Sequence, residues 1–145
     1  MEYAIGLVLA ILVAALGYAV GFDRDRAFYP TALMVIGSYY VLFASMAGSL
    51  NTVAVESVVA SAFSIAAIIG FKRSLWWVEA ATVGHGLFDL IHHRFIENPG
   101  VPAWWPGFCC AFDVIFGAAI AVRLLGRARQ ERAQLRGGSF TRAGR

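Results

Sequence analysis

The chain is poor in charge: Asp, Glu, Lys and Arg together make up 14% of its 145 residues. Soluble domains carry roughly 25%. With 59% hydrophobic residues and a mean hydropathy of +0.67, an ordinary water-soluble globule is excluded and lipid is the expected solvent. Cysteine is equally scarce, and Cys109 and Cys110 are adjacent. Neighbours of this kind can form only a strained vicinal disulfide, so a disulfide framework is excluded; each is expected to be a small buried hydrophobe or, for a softer metal, a thiolate ligand. No internal repeat and no second domain are apparent. Histidine is limited to three residues, and all of them, His85, His92 and His93, fall within nine positions that also hold Asp89.

Five windows of roughly 20 apolar residues, the length a transmembrane helix needs, run over about Tyr3–Phe22, Tyr29–Ser49, Val53–Gly70, Leu75–Phe95 and Gly107–Leu125. The leading residues hold Glu2 and no Lys or Arg, and the first apolar run is too long for a signal-peptide core, so a retained membrane helix is expected. The fold class predicted is all-α, a polytopic bundle of five transmembrane helices in one domain over 1–126. A basic tail over 127–145, rich in Arg, Gln, Gly and Ser, is expected to be disordered. Five crossings put 23–26, 71–74 and the tail on one side, together with every basic residue but Arg94, that is 11 of the 12. The positive-inside rule then gives N-out and C-in in the cell membrane.

The net charge of +3 is accounted for by attraction to anionic headgroups, about 1 kcal/mol per basic residue near the surface. No nucleic-acid motif accompanies it. The alternating stretch Asp23-Arg24-Asp25-Arg26 reads as a solvated turn. Gly6, Ala10, Ala14, Gly17 and Gly21 on the first helix, Ala44 and Gly48 on the second and Ser57, Ser61 and Ser64 on the third mark helix-packing faces. Trp76, Trp77, Trp104 and Trp105 read as interfacial belts. Three of the four prolines crowd into the loop before the fifth helix, which is expected to be stiff and to act as a lid.

At 100° per residue, with His85 at zero, Asp89 falls at about 40°, His92 at about −20° and His93 at about 80°, all on one face of the fourth helix. Glu79 comes at the edge of that face and is left outside the core site. Asp89 is six residues from Phe95 and Asp113 six from Gly107. The two carboxylates are therefore expected at one level, roughly 9 Å below the outer surface. Charged groups inside a bilayer face the bundle interior and pair. One outward-facing cavity lined by Glu56, His85, Asp89, His92, His93 and Asp113 is predicted, with Tyr39, Ser45, Asn51 and the cysteines as neighbours.

The string His85-x-x-x-Asp89-x-x-His92-His93, followed by Asn98-Pro99, Pro102, Pro106, Cys110 and Asp113, resembles the pattern of an uncharacterised family of small integral membrane proteins from bacteria and fungi. The resemblance covers the fourth helix to the start of the fifth and departs from the pattern at Phe88, where the family has Trp. It implies a site at these positions and no particular reaction. Asp89-x-x-His92-His93 is also similar to one histidine box of membrane desaturases, but three histidines fall well short of the eight or so those di-iron enzymes use.

The sharpest expectation is one divalent metal, zinc or iron(II), held by His85, Asp89 and one of His92 or His93. Glu56 or Asp113 completes its shell, and an open position is left for water. In that scheme Asp113, His93 and Glu56 are the catalytic candidates and the metal ligands are His85, Asp89 and His92. The reaction would be hydrolysis of a lipid or other amphiphile. A proton or small-solute path is the second expectation, and it would need a homo-oligomer to build a wide enough channel. A structural His/Asp network fixing the helices is the third.

Overall fold

The computed structural model describes residues 1–142, with side chains as far as Leu135. Among these residues there are five α-helices and no strand: α1 (Glu2–Val20), α2 (Phe28–Met46), α3 (Leu50–Lys72), α4 (Leu75–His92) and α5 (Trp105–Arg142). A 3₁₀ turn at Phe22–Arg24 joins α1 to α2. Local chemistry sets the ends. Gly21, at φ 85°, takes the left-handed conformation that closes α1, its N–H donating to the carbonyls of Gly17 and Tyr18. Ser49 and Ser74 cap α3 and α4 by accepting from the amides of Thr52 and Trp76. Pro106, in the first turn of α5, lacks an N–H where none is required.

Four of the helices, α1, α2, α3 and α5, are long and apolar enough to cross a membrane. Large hydrophobic side chains such as Leu12, Val58 and Val122 point outward, 59%, 71% and 68% exposed, as lipid-facing surfaces do. α4, the helix with the histidines, is not among the four. Its 18 residues bury Val78, Thr82, His85, Gly86, Asp89 and His92 against its neighbours while Trp77, Leu87 and Leu90 stay exposed.

α5 does not stop at Leu125, where the apolar run ends. It continues to Arg142, so most of the stretch expected to be a disordered tail is helical, and residues 143–145 lie outside the described ones. Ala, Arg, Gln, Glu and Leu are good helix formers, and extending a helix that is already nucleated costs little.

α1 packs on α5, α5 on α4, and α3 on both α2 and α4. α1 and α2 are successive but do not pack along their lengths; each meets the 3₁₀ turn between them. That turn is more than the solvated link expected. Asp23 is 2% exposed and ion-pairs with Arg123, while Arg127 donates to the Asp23 carbonyl. Burial of a carboxylate requires a partner, and α5 supplies it, locking the α1–α2 corner to the fifth helix. The serine stripe of α3 does not reach across helices. Ser57, Ser61 and Ser64 donate to the carbonyls of Val53, Ser57 and Ala60 on their own helix, the usual outlet for a helical serine without a polar neighbour.

The interior divides into two halves along the bundle. One is apolar and built from Ala10, Tyr29, Leu33, Ala67, Leu75, Val78, Phe116 and Ile120. The other holds buried Glu56, His85, Asp89, His92 and Asp113.

Candidate metal centre

α4 and α5 approach closely because Gly86 faces α5. A Cβ there would lie 2.7 Å from the Cβ of Asp113. This contact brings His85 and Asp89, one turn apart on α4, against Asp113 of α5. Nδ1 of His85 is 2.8 Å from Oδ2 of Asp113 and 3.6 Å from Oδ2 of Asp89. The three residues are 2%, 0% and 0% exposed, and one ligand atom from each lies within 4.8 Å of the others.

Their hydrogen bonding is incomplete. Among the described residues, both carboxylate oxygens of Asp89, Oδ1 of Asp113 and the hydroxyl of Tyr40 are buried without a hydrogen bond of ordinary length, and the nearest charge to Asp89 is the His85 imidazole at 3.6 Å. Tyr40 and Cys109 adjoin Asp89. A buried polar atom left unpaired costs about 1–3 kcal/mol, more for a charged one. Two carboxylates with oxygens within 4.8 Å of one another also repel, by about 3–4 kcal/mol at an effective dielectric of about 20. One imidazole cannot offset both, so the group either keeps a proton on one carboxyl or takes up a cation, and its three ligand atoms could hold a metal ion. One imidazole and two carboxylates suit zinc, iron(II) or manganese. Three protein ligands leave a position open, as catalytic rather than structural sites do.

A second polar group lies further along α4. Nε2 of His92 is 3.0 Å from Oε1 of Glu56, and Nδ2 of Asn98 donates to that oxygen at 2.8 Å and to the Tyr40 carbonyl at 3.0 Å. The Tyr40 ring separates the two groups, its centroid 4.1 Å from that of His92 and 6.4 Å from that of His85. Phe63 closes over His85 and Phe88 over His92, at 4.7 and 5.6 Å.

The residues predicted for one cavity are thus divided. His85, Asp89 and Asp113 come together, so the group that could hold a metal ion contains Asp113 and not His92. His92 and Glu56 pair with each other. His93, the candidate base, is exposed as the C-cap of α4: its angle lies within the buried arc, but the helix ends there and the residue emerges at the surface. Ser45 and Asn51 are also exposed, Ser45 donating to the Val41 carbonyl. The proline-rich loop is pinned rather than free. Asn98 ties it to α2 and α3, and a Cβ at Gly100 would collide with the Phe43 carbonyl oxygen. Sequence reasoning chose Tyr39 and missed Tyr40. The signal was present, because Tyr29, Leu33, Ile36, Tyr40 and Phe43 recur at helical spacing and all are buried.

No family model, curated protein or solved structure matches the chain.

Proposed function

We propose that this is a small multi-pass membrane protein whose His85/Asp89/Asp113 cluster binds a divalent metal and uses it for hydrolase-like chemistry on a lipid or other amphiphile. The observation that carries the proposal is the convergence of three buried ligand atoms, with both Asp89 oxygens and one Asp113 oxygen lacking a hydrogen bond and only the His85 imidazole as a cationic neighbour. A zinc or iron(II) ion bound there would act as a Lewis acid and acidify a water. His85 and the two aspartates hold the cation. Tyr40, its hydroxyl unpaired beside Asp89, is placed to donate to developing negative charge on a substrate oxygen. Phe63 and Phe88 pack edge-on against His85 and His92 and hold the two imidazoles in place. Glu56 and His92, held by Asn98, fix the Tyr40 segment of α2 against α4.

The runner-up, a proton path, draws on the succession Asp113, His85, Asp89, Tyr40, His92 and Glu56. That succession ends blind: beyond His85 the buried face of α4 offers Thr82 and then Val78 and Leu75, packed in the apolar half of the core. A relay must reach both sides, whereas a metal centre needs one approach.

In the same proposal all five helices cross the cell membrane, N-terminus outside and C-terminus inside, with α4 shielded by α3 and α5. Detergent-purified protein incubated with a panel of long-chain esters and amides should release product, and 1,10-phenanthroline or His85→Ala should abolish the release. Turnover that survives both would overturn the assignment.

A further inference from the structure

α1 and α2 do not pack on each other along their lengths, and residues of α5 line the space between them. The result is a lateral cleft of about 690 Å³, lined by Leu9 and Val13 of α1, Phe28 and Val35 of α2, and Phe112 and Phe116 of α5. Its volume falls in the usual range for small-molecule sites. In a bilayer, hydrocarbon fills any such cleft, and an apolar chain gains little by leaving lipid for an apolar wall. A specific ligand must therefore be selected by polar contacts. Asp113 supplies one, because it lines the cleft, is fully buried and has an unpartnered Oδ1. Trp105, whose buried Nε1–H also lacks a partner, lines the cleft eight residues earlier on α5. Charge narrows the choice. Among the described residues Asp25 and Asp113 line the cleft and no Lys or Arg does, so a phosphate or free carboxylate would enter without a cationic partner there.

We infer that the cleft between α1, α2 and α5 binds an uncharged long-chain lipid, its hydroxyl, ester or amide end reaching Asp113 and its chain lying along Phe112 and Phe116. The inference deepens the metal-centre proposal by naming the substrate class and the lateral route to the site, while the binding itself does not depend on the metal.

The test is photolabelling of the whole protein in phosphatidylcholine nanodiscs with a diazirine-bearing long-chain alcohol, and with the matching diazirine alkane as the probe without a polar end. Peptide mapping should place the alcohol's label on cleft residues of α1, α2 and α5, and excess unlabelled alcohol should compete it away. Val35→Trp and Leu9→Trp, filling the cleft from opposite walls, should each lose the competable label, whereas Val58→Trp on the outer face of α3 should keep it. Label from the alcohol spread over outward faces such as Val58 and Val122, uncompeted and equal to that of the alkane, would mean annular lipid only and overturn the inference. Metal content of the same preparations separates the two proposals: competable cleft labelling in a protein that holds no metal retains this inference and sinks the metal centre, and metal with diffuse labelling does the reverse.

Discussion

Asp89 decides between a metal centre and a packing network. Both of its oxygens are buried without a hydrogen bond, beside a second carboxylate and with one imidazole shared between the two. In metal-free protein it is therefore a burden of up to about 4 kcal/mol, and Asp89→Asn should melt higher than the wild type after chelator treatment. Adding zinc should then raise the melting temperature of the wild type and leave the variant unmoved. A hydrogen-bond network that holds helices together predicts the opposite sign for the first comparison, readable by thermal scanning in detergent. The neighbouring histidines separate as clearly. His92→Ala leaves Glu56 buried without its imidazole, at a cost of about 1–3 kcal/mol, whereas His93→Ala, at an exposed helix end, should stay within about 0.5 kcal/mol. Chemical or thermal unfolding of the two variants side by side checks this. The difference between these residues was only half legible in the sequence. Angles on a helical wheel put both on the buried face; where α4 stops determines that one of them leaves it.

At the scale of elements, apolar runs alone were enough to find five helices with starts close to those seen. Rotation was harder to read. Tyr40 rather than Tyr39 faces α4, a shift of one residue that follows from the buried stripe of α2. Asp23 turns inward because Arg123 and Arg127, a hundred residues later, converge on it. No local pattern encodes a partner that distant. The closeness of α4 and α5 rests on Gly86, which the sequence left unremarked among fifteen glycines. Gly86→Val should force these helices apart, costing about 1–3 kcal/mol through overpacking. By moving Asp113 away from His85 it should also weaken metal retention more than stability. Metal content measured on variant protein that still elutes as a folded species tests that order of effects.

For the molecule as a whole, one half of the interior is a conventional apolar core and the other concentrates five of the chain's buried ionisable residues. That imbalance was legible from composition: little charge, three histidines, and those histidines gathered with Asp89 in one apolar helix. Its division into a metal-type cluster and a Glu56–His92–Asn98 brace was not, because it depends on which residues of α2, α3 and α5 come opposite α4. The measurement that tests the account most directly is the metal content of protein purified without chelators or a histidine tag, by inductively coupled plasma mass spectrometry, beside a His85→Ala, Asp89→Ala double variant. About one equivalent of zinc, iron or manganese per chain in the wild type, lost in the variant, is the predicted result; no metal in either protein, or the same metal in both, would contradict it.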